Sequence, residues 1–308
     1  MRFPRMPSHS KVMEAVYLTR DTQMGRSKFL TDESNAERLV KFASLSESDH
    51  VCELGAGFGV LSKQILKEKV KSLLSIEWNR LCTDHLAKFP NYHNNHIVKH
   101  GDPFFIDFCQ EYEFMKHELN PNLTVFVCSA TKSRNPFFID QFMEDLVYQK
   151  QLFSFPLRKI KIITLVESNK AKRICGNDEI PGSIYDLLPQ NYFQIELGPT
   201  LQPNVFTDAE DSSCTAIKLI PLSNPRLNLN FASLKQLINY MGGSGYSKFS
   251  KRTIRENLID HGVLNSQNKD LVFEIFDNLH FDLDTKQRDI SFIDIVKFAN
   301  ALHLFPPV

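Results

Sequence analysis

Residues 49–68 read DHVCELGAGFGVLSKQILKE, and the seven at the centre, ELGAGFG (53–59), decide the fold. The apolar run HVCEL (50–54) has the character of a short buried strand, and VLSKQILKE (60–68) has helical spacing. Between them Gly55, Gly57 and Gly59 occupy every second position behind Glu53. Glycines there let the backbone approach a ligand and take positive φ without steric penalty. A strand–turn–helix unit of this kind opens onto the carboxyl edge of a parallel sheet, where open α/β folds bind ligands.

The spacing narrows the ligand. A dinucleotide-binding loop wants its third glycine five residues after the first, and Val60 holds that position. G-x-G-x-G behind an acid fits instead an S-adenosylmethionine site, which has no pyrophosphate to cradle. Glu77 closes the second predicted strand, KSLLSIE (71–77), where a carboxylate accepts hydrogen bonds from ribose hydroxyls. Asp102, after the third strand NHIVKHGD (95–102), is an acid at the same edge, suited to an adenine amino group. Trp78 either edges that pocket or belongs to the core. The plainer alternative is a set of turn glycines with two solvated acids at strand ends.

Around this unit strands and helices alternate. A helix over 31–45 begins at Thr31 or Asp32, with Ala36, Leu39, Val40 and Ala43 at helical spacing. WNRLCTDHLAKF (78–89) is helical and stops at Pro90, and LTVFVCS (123–129) reads as a fourth strand. A long helix over 136–153 starts on Pro136, a position that tolerates proline. RKIKIITLV (158–166), NYFQIEL (191–197) and CTAIKLIPL (214–222) supply three further strands. The expectation is an α/β, Rossmann-like domain over 1–221 with a mostly parallel sheet covered on both faces. After Pro221 only helical periods recur, over 231–241, 248–262, 268–280 and 291–305, so residues 222–308 are expected to form a small all-helical domain.

Composition bounds the rest. The 308 residues are 42% hydrophobic and 23% charged, with zero formal net charge, so nucleic-acid binding must come from local clusters. No apolar run approaches membrane-spanning length, and no membrane partner is expected. The six cysteines form no CxxC pair and read as reduced, structural residues; the scattered histidines lack partners at metal spacing, so no metal site is expected. Residues 1–24 are a basic arm with Arg2, Arg5, Lys11 and Arg20, read either as partly disordered or as carrying weak mitochondrial targeting character.

With their flanks, these residues resemble the rRNA adenine dimethyltransferases and their offshoot, the mitochondrial transcription factor B proteins of fungal type. The likeness covers most of the chain. MGRSKFLTDES (24–34) is similar to the family's opening segment: Phe29, Leu30 and Asp32 match, and Lys28 stands where the family has asparagine. ELGAGFGVLS (53–62) matches the cofactor loop, SIEWNRLC (75–82) the ribose-binding acid and HGDPFFIDF (100–108) the adenine-binding acid. KRTIRENL (251–258) is similar to the arginine-bearing helix of the family's small C-terminal domain. The resemblance implies a cofactor pocket built from Leu30, Glu53, Gly55, Gly57, Glu77, Trp78, Asp102 and Cys128, with S-adenosylmethionine as its ligand.

One departure changes the expected function. After the fourth strand the family carries Asn-Leu-Pro-Tyr, whose amide and carbonyl orient the target amino group and whose ring stacks on the flipped base. Aligned on Pro136, those positions here are Cys128, Ser129, Ala130 and Thr131. Losing the stacking forfeits roughly 1–3 kcal/mol. Losing the orienting hydrogen bonds costs on the order of 10²–10³ in rate, by analogy with other preorganised groups. The pocket is therefore expected to persist without the reaction, and no catalytic residue is assigned.

Two basic clusters fit phosphate contacts: Arg158, Lys159, Lys161, Lys170, Lys172 and Arg173, then Lys248, Lys251, Arg252 and Arg255, of which Lys248, Lys251 or Arg252, and Arg255 share one helical face. A solvated face is the bland alternative for each. The acidic stretch from Glu274 to Asp284 points that end of the chain toward a protein partner. By resemblance, the expectation is a monomeric mitochondrial transcription initiation factor that helps a single-subunit mitochondrial RNA polymerase recognise and melt promoter DNA. The alternative is an active dimethyltransferase of small-subunit rRNA.

Overall fold

The structure, a computed structural model, describes residues 3–18, 29–90, 95–102, 122–127, 139, 143, 160–177, 179–180, 184–207, 213–227, 231–242 and 252–302. The chain divides into two compact units: Met1–Ala171 with Gln194–Ser223, and Lys172–Phe193 with Asn224–Val308. Residues 172–193 thus join the second unit although they precede the last strands of the first.

In the first unit the strands are β1 (Asp49–Leu54), β2 (Ser72–Glu77), β3 (His96–His100), β4 (Asn122–Val127), β5 (Ile160–Glu167), β6 (Phe193–Leu201) and β7 (Cys214–Pro221). They form one sheet of order β3-β2-β1-β4-β5-β7-β6. The pairs from β3 through β5 are parallel, and β7 runs antiparallel to β5. β1 and β2 are buried at every position, as strands covered on both faces must be. Their polar interruptions are therefore paired: His50 Nδ1 lies 2.6 Å from Ser72 Oγ.

The helices of this unit include α1 (His9–Leu18), α2 (Glu33–Ala43), α3 (Val60–Lys67) and α4 (Arg80–Leu86). Asp32 caps α2, accepting from the Asn35 N–H at 2.7 Å, and the stripe Ala36, Leu39, Val40 and Ala43 is buried against the sheet core. α1 corrects the reading of the N-terminus as a disordered arm. Val12, Ala15 and Val16 on one face of α1 pack into a cluster with Phe29, Phe58 and Cys82. The apolar spacing within SKVMEAV outweighs the flanking charges. The helix expected over 136–153 lies outside the described residues except Ile139 and Met143.

The second unit contains α5's last turn (α5, Ser168–Ile174), α6 (Pro189–Tyr192), α7 (Phe231–Gly242), α8 (Ile254–Asp260), α9 (Lys269–Asn278) and α10 (Phe292–Leu302). Phe276, Phe281 and Phe298 form its aromatic centre, with Phe276 and Phe298 stacked at 5.3 Å. α8 starts later than the helix expected from residue 248. Thr253 and Glu256 form a reciprocal capping box, which fixes the first turn at Ile254.

Two loop glycines are required by packing. A Cβ on Gly57 would lie 2.8 Å from the Phe29 ring, and one on Gly59 would lie 2.6 Å from both Leu86 and Phe89. Gly59 also holds φ +80°. Gly59→Ala is therefore expected to cost about 2–4 kcal/mol, adding left-handed strain to overpacking. Gly262, at φ +71° with nothing within 4 Å, should cost only about 1–2 kcal/mol as Gly262→Ala. Urea denaturation of the two variants checks the contrast, and equal losses would remove the packing argument.

Candidate functional site

Three chain segments converge at the carboxyl edge of β1, β2 and β3. The loop after β1 is tied to β2 by its backbone: Gly55 and Ala56 N–H groups donate to Ile76 O at 2.9 and 3.2 Å. Gly57 N–H then donates to Glu77 Oε2 at 2.8 Å, and Asn79 N–H donates to Glu77 Oε1 at 2.8 Å. Glu77 is only 2% exposed. Burial raises its pKa, and the backbone donors at Asn79, Gly57 and Trp78 oppose that shift. The Glu77 carbonyl accepts from Gly101 N–H at 3.0 Å, which brings half-buried Asp102 to the same edge. Trp78 is half-buried beside it.

Phe29 and Leu30 reach the loop from the other side. Leu30 bridges Phe206, and Phe29 exchanges hydrogen bonds with Thr207: its N–H donates to Oγ1, and its carbonyl accepts from the Thr207 N–H, both at 3.0 Å. That clamp sets the Phe29 ring against Gly57 and edge-on to Phe58, at 5.3 Å between centroids. Asn79 does double duty. Its Oδ1 caps α4 through the Leu81 N–H, and its Nδ2 donates to Ala15 O at 3.2 Å, tying α1 to the turn beside Glu77.

Glu53 has an interior role rather than an open one. It is 1% exposed; Ser62 Oγ donates to its Oε2 at 2.5 Å, with Ser75 Oγ at 3.5 Å. Ser75 Oγ in turn lies 3.1 Å from His96 Nε2. Burial pushes Glu53 up to about 8 and His96 down to about 4, so both are neutral at pH 7. This chain of neutral groups ties β1, α3, β2 and β3 together behind the glycine loop. The sequence signal was available in the serines that interrupt VLSKQIL and SLLSIE.

Among the pocket residues named from sequence, Leu30, Gly55, Gly57, Glu77, Trp78 and Asp102 stand around this edge. Cys128 lies outside the described residues. Sequence reasoning passed over Asn79 and the stacking of Phe29 on the loop.

The basic clusters require corrections. Arg173 is 1% exposed, and its guanidinium donates to Ile180 O at 2.9 Å and Ile290 O at 2.6 Å, so it is a core residue of the second unit. Lys161 sits near the start of β5, the sheet edge opposite the glycine loop. There its Nζ lies 3.6 Å from Asp49 Oδ2. Arg252 precedes the α8 cap, so it shares no helical face with Arg255; it is ion-paired with Asp260. Arg255 forms a two-pronged pair with Asp284 at 2.7 and 2.9 Å. Lys172 is exposed and Lys170 half-buried. Arg158, Lys159, Lys248 and Lys251 lie outside the described residues.

The chain matches the sequence profile of a family described as ribosomal RNA adenine dimethylase over residues 21–240. Curated relatives include a protein named ribosomal RNA small subunit methyltransferase A from Anaplasma marginale, 25% identical over 75% of this chain and 77% of its own. One of the same name from Clostridium botulinum is 30% identical over 67% of this chain and 69% of its own. Among solved structures, the 23S rRNA methyltransferase ErmE aligns with TM-score 0.60 and 14% identity, over 89% of this chain and 99% of its own. A dimethyladenosine transferase from Plasmodium falciparum aligns with TM-score 0.60 and 15% identity, over 90% and 98%. The fold is that of a Rossmann-like methyltransferase with C-terminal helices.

The buried Glu53 carboxyl makes stability depend on pH. Unfolded, it ionises near 4.5; folded, near 8. Its contribution is fully present below about pH 4.5 and is lost as pH rises through about 8. Glu53→Gln keeps an acceptor for Ser62 and removes the titration. The variant should gain stability over the parent on going from pH 5 to pH 8, on the order of 3 kcal/mol. Urea midpoints at the two pH values measure this, and a pH-independent difference would refute the assignment.

Proposed function

The chain belongs to the ribosomal RNA adenine dimethylase family, and from that premise we propose that it is a mitochondrial transcription initiation factor whose methyl transfer has been lost. Acting with a single-subunit mitochondrial RNA polymerase, it helps recognise and melt promoter DNA. One observation carries this reading. Leu54 pairs with Val127, so β4 ends beside the glycine loop, and the next four residues in the sequence are Cys128-Ser129-Ala130-Thr131. These four residues include no side-chain amide, no proline and no aromatic ring.

The residues at the edge fit the adenosine part of S-adenosylmethionine. Backbone N–H groups of Gly57, Asn79 and Trp78 occupy three of the roughly four acceptor positions of the Glu77 carboxylate, which leaves one for a ribose hydroxyl. Asp102 suits the adenine amino group. When bound, the cofactor would supply the methyl group; this chain's own residues would bind and orient it. Loss of acceptor chemistry with a standing nucleoside edge favours a nucleic-acid-binding role over catalysis, with unpaired bases of promoter DNA as the ligand of the former substrate cleft.

A second reading is favoured by the same edge and by the relatives' names: an enzyme that dimethylates small-subunit rRNA. Two assays separate them. Run-off transcription from linear promoter DNA by the cognate polymerase should rise when the protein is added, and unchanged yield would remove the proposal. Methyl transfer from labelled cofactor to a small-subunit rRNA hairpin should stay at background; turnover there would install the enzyme reading instead.

A further inference from the structure

Between the start of α1 and the end of α4 lies a cavity of about 420 Å³ whose walls include Lys11, Phe58, Leu81, Asp84, His85 and Lys88. Neither Glu77 nor Asp102 contributes to it, so it is a separate place from the nucleoside edge, with Phe58 of the glycine loop in one wall. Lys11 and Lys88 are exposed, and among the described residues no ion pair engages either. Lys11 lies on α1 and Lys88 in the turn after α4, and among the lining residues only Asp84 offsets them.

His85 is the telling wall. It is 8% exposed, and its ring nitrogens take no hydrogen bond among the described residues. Its ring instead meets Phe58 and Phe89 edge-on at 5.9 and 5.7 Å. Burial first, then the Lys88 charge, lowers its pKa, so at pH 7 it is neutral and offers one N–H and one lone pair. The ring nitrogens are not sealed from solvent, so they stand open to a polar ligand in the cavity.

We propose that this α1–α4 cavity binds a nucleotide, with the phosphate between Lys11 and Lys88, the His85 imidazole hydrogen-bonded to the ligand, and the sugar and base against Phe58 and Leu81. Paired cations beside an aromatic wall are the elements of sequence-tolerant single-strand binding. The volume exceeds what a bare phosphate fills and accommodates a base with its sugar. The nucleotide can be free or part of a strand.

Calorimetric titration of the full chain with AMP and with adenosine tests this, read alongside the NMR resonances of the His85 ring. AMP should bind roughly ten-fold or more tightly than adenosine at this site, shift the His85 resonances, and lose roughly ten-fold or more affinity in Lys11→Glu/Lys88→Glu. Both substitutions are at exposed positions, and the melting curve of the variant confirms its fold. Competition by single-stranded RNA or DNA oligonucleotides assigns the site to a strand; AMP binding without such competition assigns it to a free nucleotide. Absence of AMP binding overturns the proposal, as does AMP binding that leaves His85 unmoved or survives the double charge reversal. Adenosine binding unaffected by the charge reversal reports on the Glu77 edge alone, which keeps the two sites distinguishable.

Discussion

The Glu77 carboxylate is the constraint on which the site depends. A loop leaving β1 must cross the end of β2, and its N–H groups there have lost their sheet partners. Glu77 accepts the Gly57 and Asn79 N–H groups, one on each oxygen, so one side chain fixes both the glycine loop and the start of α4. Around that latch the Phe29 ring closes on Gly57, Leu86 and Phe89 close on Gly59, and Asn79 holds the carbonyl of Ala15. An acid in this position is thus structural before it is functional.

This has a bearing on how glycine motifs are interpreted. Gly57 and Gly59 are excluded from substitution by the protein's own aromatic and aliphatic side chains, with or without a ligand. A chain that abandoned methyl transfer would still be held to ELGAGFG by packing. The proposed loss of methyl transfer concerns residues 128–131, whereas the packing that excludes a Cβ at Gly57 and Gly59 comes from Phe29, Leu86 and Phe89. On that proposal, persistence of the one and loss of the other need no separate explanations.

Local rules made much of the first unit legible. The strand–glycine–helix unit, the Asp32 cap and the stripe on α2 follow from periodicity and capping chemistry, and the order of acids at Glu77 and Asp102 follows from the strand order. What escaped was decided by tertiary context. Arg173 looks like a surface cation in SNKAKRI, yet carbonyls at Ile180 and Ile290 make it a core residue. Lys161 alternates correctly within β5 but lies at the wrong edge of the sheet for the glycine loop. The helix expected from residue 248 fell to a capping box at Thr253, and α1 was hidden by the charges around its short apolar stripe.

The discontinuity of the second unit bears on the order in which the chain matures. Arg173 and its acceptor Ile290 are separated by 117 positions, and Gln194–Ser223 between them completes the other unit. At about 5–20 residues per second, the ribosome delivers Ile290 roughly 6–25 s after Arg173. Throughout that interval the guanidinium has the nearby Ile180 carbonyl but not the Ile290 one, and the donors meant for Ile290 must stay hydrated while the sheet unit is finished. The timetable of synthesis is thus written into the position of one arginine.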